Sequence, residues 1–179
     1  VSWLGQRHSA RVLPARSGLS GEGDALVTRE RGLALCVASA DCVPVLLAAG
    51  SDRAAAVHAG WRGIVANVLA RTVERLGDAH ELTAWIGPAI GGCCYEVGED
   101  VARQVVAASG QEALLPRDGG RPHLDLSTAA AHQLSANGVR RIHCIAGCTR
   151  CDSTRLWSYR RDGKGAGRNL SFIWIRGTG

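Results

Sequence analysis

The chain has 179 residues, 46% of them hydrophobic, enough to bury a core and suited to a single domain spanning 1–179. Its net charge of +5 comes from scattered arginines, with Lys164 the one lysine, and aromatics make up only 4%; no basic and aromatic stripe for nucleic acid is present, and a phosphate-using small substrate suits the charge better. No apolar run reaches the roughly 18 residues of a membrane span, and the 7 irregularly spaced cysteines point to reduced thiols, so the expectation is a cytoplasmic protein with no membrane or nucleic-acid partner.

In chain order, LALCVASADCVPVLLA (33–48) predicts two buried strands joined at a polar break over Ala40, Asp41 and Cys42. Ala54 to Val57 is a third strand. It runs into His58-Ala-Gly-Trp-Arg-Gly63 and a helix from about Ile64 to Leu76, where Ile64, Val65, Val68, Leu69, Val73 and Leu76 keep helical spacing. Thr83 to Ile86 predicts a strand, and GPAIGGCCYEVG (87–98) a loop. Glu99 and Asp100 suit the dipole at the start of a helix through Ala108. A further helix starts after Asp125 or Ser127 and stops at Asn137 and Gly138. Strands near Arg141 to Ala146 and Ser171 to Ile175 flank an arginine- and glycine-rich loop. The loops around Gly91 and Gly163 either close over substrate or simply turn.

Imidazole and thiolate are the side chains that bind zinc best, and three such ligands leave a fourth position open for chemistry. His8, Cys42 and His58 can supply that set, because Cys42 and His58 stand at strand ends beside chain breaks. Spacing alone leaves the alternative of a buried Cys42, a hydrogen-bonded His58 and a solvent-facing His8. Arg62, at the start of the predicted helix, can join free backbone N–H groups, with Gly63 beside it, in holding phosphate; the alternative is pairing with a carboxylate. Asp24, Asp41 and Glu96 can orient a histidine ligand or transfer protons, or serve as turn and cap residues. His143, Cys144, Cys148 and Cys151 compete as a metal cluster through the Cys148-Thr-Arg-Cys151 spacing, but a second pair is missing and a structural or buried role for these thiols is the stronger expectation. Cys93 and Cys94 are adjacent and point apart on any regular backbone. They are not expected to share one ion.

The stretches QRHSARV (6–12), GDALVT (23–28), ADCVPVLL (40–47), HAGWRG (58–63), IGPAIGGCCYEVG (86–98), LDL (124–126) and SYRRDG (158–163), followed by GR (167–168), resemble the bacterial YfiH-like family. This family is also called the multicopper polyphenol oxidase or laccase-domain family, and purine nucleoside phosphorylases are among its members. The resemblance covers almost the whole chain. It implies an α+β (mixed α/β) fold with two mixed β-sheets flanked by helices in an α/β/β/α layering, and a metal held by His8, Cys42 and His58. The function implied is a zinc-dependent purine nucleoside phosphorylase that takes adenosine, inosine, guanosine or methylthioadenosine with phosphate, with adenosine deamination as a further activity. Arg62 and Asp41 are then expected as catalytic residues, and Arg62 and Gly63 as phosphate-binding ones, in a monomer or small homo-oligomer. The family's usual N-terminal section is not in this chain, and Arg7 stands where valine is more usual. With Val1 and no methionine, the expectation is a non-standard start or the later portion of a longer protein.

Two other enzyme classes compete. A copper-dependent polyphenol oxidase with a four-copper centre needs roughly ten histidines, against 6 in this chain, although a single copper can replace zinc in the same trio. A cysteine hydrolase would use Cys42 as nucleophile and His58 as base, with the thiolate free of metal.

Overall fold

A computed structural model describes residues 1–115 and 120–177. Strands β1 (Ser2–Gly5), β2 (Val12–Pro14), β3 (Gly18–Glu22) and β4 (Ala25–Thr28) come first, then β5 (Leu35–Ser39), β6 (Val43–Ala49) and β7 (Arg53–Ala59). Helices α1 (Trp61–Val65) and α2 (Val68–Leu76) follow, then β8 (Leu82–Ile86), α3 (Glu99–Ser109), the short β9 (Leu114–Leu115) and β10 (His123–Leu124), and α4 (Leu126–Ala136). Strand β11 (Arg141–Cys144), helix α5 (Tyr159–Asp162) and β12 (Asn169–Ile173) complete the order.

Two mixed sheets dominate. One runs β12-β5-β1-β3 and the other β11-β8-β6-β7-β4-β2, while β9 and β10 form a separate antiparallel ribbon. The alternation in β6 explains why the larger sheet has two buried faces. Val43, Val45, Leu47 and Ala49 point into a core shared with Ile64, Leu69, Val105 and Leu134 of the helices. Leu46, from the opposite face, joins Leu26, Ala54 and Ala56 against Leu4, Leu35 and Val37 of the smaller sheet. The class is therefore α+β, with helices α1, α2 and α4 packed on the six-stranded sheet and the four-stranded sheet behind it. The outer face of the smaller sheet presents Trp3, Leu19, Leu170 and Phe172, each about half exposed, and among the described residues no helix covers it.

Two departures from expectation have local causes. The strands on either side of Asp41 do not pair with each other; β5 belongs to the four-stranded sheet and β6 to the six-stranded one. The chain thus changes sheets at Ala40 to Cys42. The helix expected from Ile64 to Leu76 is broken, because Asn67 adopts a left-handed φ of 62° between α1 and α2, a conformation asparagine tolerates better than most side chains. Gln133, buried on α4, ties the break to α3: the two protons of its Nε2 are shared among Ile64 O at 2.7 Å, Asn67 Oδ1 at 3.1 Å and Ala108 O of α3 at 3.0 Å. Gln133→Ala would orphan these buried acceptors, with an expected loss of about 2–3 kcal/mol in urea denaturation. An unchanged unfolding midpoint would show that the break needs no such support. Asp125 settles the start of α4, since its Oδ1 accepts from Ser127 N and Thr128 N at 2.9 and 3.1 Å.

Candidate active site

The sheet change at Ala40 to Cys42 brings together residues that no single sheet could supply. His8 lies on the loop leaving β1, Cys42 on the connection from β5 to β6, and His58 near the end of β7, where Pro44 is its partner across the ladder. The Sγ of Cys42 is 3.7 Å from Nε2 of His8, and one ligand atom from each of the three residues lies within 4.8 Å of the others. The two imidazole rings meet edge to face at 4.9 Å. This is a His-Cys-His cluster with the donor chemistry to hold a metal ion.

Asp24 builds the cluster from beneath. Its carboxylate has no solvent exposure and accepts from the backbone N–H groups of Arg7, His8 and Ser9 at 3.2, 3.0 and 2.6 Å, and from the Ser9 hydroxyl at 2.7 Å. It also bonds Nδ1 of His58 at 2.9 Å, which turns the other ring nitrogen toward Cys42. One carboxylate therefore holds the loop carrying one ligand and orients another. Gln6 secures the start of that loop by mimicking a strand residue: its Nε2 donates to Ala38 O at 2.7 Å and its Oε1 accepts from Ala38 N at 2.8 Å.

The electrostatics follow from this packing. Burial alone would raise the Asp24 carboxyl, yet hydrogen bonds from His58, Ser9 and Arg7 outweigh it and hold the group at about 2. Burial likewise opposes a charged His58, but its bonds to Asp24 and Cys42 raise it to about 9. For Cys42, burial pushes upward while His58 and His8 pull the thiol down to about 7. Without a metal, Cys42 and His58 therefore form a thiolate–imidazolium pair, and a cation bound there takes the thiolate and displaces the His58 proton. Gly60 leaves room for them: a Cβ there would sit 2.9 Å from Cδ2 of His8 and 3.0 Å from Sγ of Cys42.

Above the cluster lies a cavity of about 490 Å³ lined by Gln6, His8, Asp41, Cys42, His58, Trp61, Arg62, Tyr95, Tyr159, Arg160 and Arg168. Arg62 rests over the Trp61 ring at 4.4 Å, and among the described residues no carboxylate pairs with it. Gly63, by contrast, is buried in α1, where an added Cβ would lie 3.3 Å from both Ser9 O and Val68 Cγ1. It packs behind the cavity wall. Asp41 lines the cavity with φ 95°, and both its oxygens are engaged: Oδ1 accepts from Thr149 Oγ1 at 2.6 Å and Oδ2 from Arg160 N at 2.6 Å. That bonding gives Asp41 a positioning part, since it holds the segment that brings Arg160 and Tyr159 to the cavity. Glu96 lies outside the cavity lining. Its backbone oxygen accepts from Arg160 NH1 at 3.0 Å and its carboxylate faces Arg121 at 3.9 Å.

Tyr95, Tyr159, Arg160 and Arg168 also line the cavity, and none of them stands out in the local sequence. The SYRRDG and GR stretches held the only hint, because arginines bracketing a glycine-rich turn suit an anion site. The competing set of His143, Cys144, Cys148 and Cys151 does not come together, and its thiols are not buried: Cys144 and Cys151 are exposed and Cys148 half-buried. His143 and Cys144 lie on β11, where His143 stacks on Trp85 at 6.1 Å, whereas Cys148 and Cys151 meet Cys93 and Cys94 instead. The expectation that Cys93 and Cys94 point apart fails because they sit on an irregular turn, with their sulfurs 3.7 Å from each other.

The chain is similar to known proteins over nearly its whole length. Residues 1–176 match the family described as multi-copper polyphenol oxidoreductase laccase. A purine nucleoside phosphorylase of Pseudomonas aeruginosa is 39% identical over 180 residues, covering 98% of this chain and 74% of the relative. A purine nucleoside phosphorylase of Deinococcus radiodurans is 43% identical over 179 residues, covering 96% and 69%. Among solved structures, a Neisseria meningitidis protein superposes with a TM-score of 0.91 at 34% identity, covering 98% of this chain and 75% of that one. Sequence and fold agree over nearly the whole chain, so the protein belongs to the multi-copper polyphenol oxidoreductase laccase family, the family of YfiH.

Proposed function

We propose that this chain is a zinc-dependent purine nucleoside phosphorylase, converting adenosine, inosine, guanosine or methylthioadenosine and phosphate to free base and sugar 1-phosphate. The observation that carries this reading is the union, in one cavity, of the His8-Cys42-His58 cluster with three arginines, Arg62, Arg160 and Arg168, and the rings of Trp61, Tyr95 and Tyr159. Guanidinium groups suit a phosphate dianion, and ring faces suit a planar purine. The names of the relatives support the same reaction class. A hydrogen phosphate oxygen forms the bond to the ribose anomeric carbon as the bond to the purine nitrogen breaks, and the departing base takes the electron pair and the proton that the phosphate gives up. Arg62 holds the phosphate from the α1 side; Arg160, fixed by Asp41, holds it from the other.

His8, Cys42 and His58 would hold the ion, and two imidazoles with one thiolate leave the fourth tetrahedral position open. When bound, zinc supplies a Lewis acid that polarises an oxygen of a reactant. Deamination of adenosine at purine C6 is a second activity this pocket would suit. A four-copper oxidase finds less support, because His80, His123, His132 and His143 all lie outside the cluster. The free thiols suit a reducing, cytoplasmic setting.

The test is turnover of adenosine and inosine with and without phosphate, followed by chromatography on protein of known metal content, beside His58→Ala. We expect phosphate-dependent release of free base. His58→Ala should lower it about 1,000-fold and remove about one equivalent of zinc. Release that ignores phosphate, or persists in the variant, would overturn the proposal. One further reading has a specific observation behind it: Cys42, His58 and Asp24 are also linked in the order of a nucleophile, base and orienting carboxylate. Alkylation of Cys42 at equal rates with and without zinc would favour that hydrolase.

A further inference from the structure

Four cysteines outside the pocket form a second cluster. Strands β8 and β11 are parallel neighbours, so the loops that follow them leave from the same end of the sheet, held in register by a bridge between Ala89 and Cys148 and by Thr149 N donating to Ala89 O at 2.9 Å. The first loop carries Cys93 and Cys94, the second Cys148 and Cys151. The sulfur of Cys151 lies 3.4 Å from that of Cys94 and 3.8 Å from that of Cys93, and all four sulfurs fall within 4.8 Å of one another. A tetrahedral ion with metal–sulfur bonds of about 2.3 Å sets its sulfurs roughly 3.8 Å apart. These spacings are those of a ligand shell.

We propose that Cys93, Cys94, Cys148 and Cys151 form a second metal site, a closed tetrathiolate centre for one zinc ion that fastens the two loops together. Four protein ligands complete the shell and leave no open position, so the site is structural. Binding releases the thiol protons and transfers no electrons. The backbone N–H of Gly91 donates to Sγ of Cys148 at 3.2 Å, as backbone amides do around metal-bound thiolates. The consequence reaches the pocket. The first loop carries Tyr95, and the second carries Thr149, whose hydroxyl donates to Asp41.

Metal content of the purified, reduced chain tests this independently of any nucleoside turnover. The wild type should hold about two zinc ions, and His58→Ala about one. The ion kept by His58→Ala should be lost when Cys93→Ser or the pair Cys148→Ser and Cys151→Ser is added. Cobalt loaded into His58→Ala should give the intense thiolate charge-transfer and tetrahedral bands of a sulfur-rich site, so the site is read even if a cysteine variant folds poorly. Loss of the ion should speed proteolysis within the two loops about tenfold. A metal-free His58→Ala without cobalt bands would overturn the proposal, as would thiol counting, on protein purified without reductant, that finds Cys94 and Cys151 joined as a disulfide.

Discussion

Asp24→Ala is expected to destabilise the protein by about 3–5 kcal/mol, a large share of the stability of a domain this size. The substitution deprives three backbone N–H groups, the Ser9 hydroxyl and His58 of one common, fully buried acceptor. Asp24→Asn keeps the shape, but its amide nitrogen faces donors where the native oxygen accepted. Metal affinity should then fall about 10- to 100-fold through loss of the orienting bond to His58. The pH dependence has a definite sign. The folded-state pKa of Asp24 is depressed to about 2, so its stabilisation is fully present above the ordinary carboxyl pKa of about 4 and drains away as pH falls toward 2. The contribution amounts to about 2 kcal/mol, and because the carboxylate is buried, solvent screening reduces it little. Urea denaturation between pH 6 and 3 should therefore show a decline in wild type that is blunted in Asp24→Asn. Parallel declines would assign the acid sensitivity to other carboxylates.

Gly60→Ala is expected to leave the fold nearly intact while reducing turnover about 100-fold. Gly60 has φ −75°, a conformation open to any residue, so the backbone gives no reason for glycine. The reason is space, since the new methyl would press on the ring of His8 and the sulfur of Cys42. Both atoms end short side chains that can turn aside, so thermal stability of the metal-free protein should change little. The cost falls on the cluster, because the displaced ligands can no longer converge. Metal titration and thermal unfolding measured together separate the two effects. A variant that binds zinc as well as wild type would show that the ligands can adjust around the methyl.

The chain by itself determined what local patterning can determine. The alternation in Val43 to Ala49, the apolar spacing of α2, the acidic start of α3 and the cap at Asp125 each lie within a few residues, where backbone geometry and side-chain period act directly. The same logic marked Cys42 and His58, because polar residues at the ends of buried strands stand out against apolar surroundings. Strands β1 to β4 escaped it: they are 3 to 5 residues long and several contain glycine or proline, so no period is established.

Convergence belongs to the tertiary structure. His58 meets Asp24 across 34 residues, Arg160 meets Asp41 across 119, and Cys151 meets Cys94 across 57. No sequence period reports such contacts, and they follow from the antiparallel pairing of β4 with β7, the chain's change of sheet at Cys42 and the parallel pairing of β8 with β11. The resemblance to a family named His8, Cys42 and His58 as ligands. The folded chain alone decided that one buried carboxylate supports two of them, and that four thiols scattered through the sequence share one corner, because burial and pairing across sheets are properties of the whole chain.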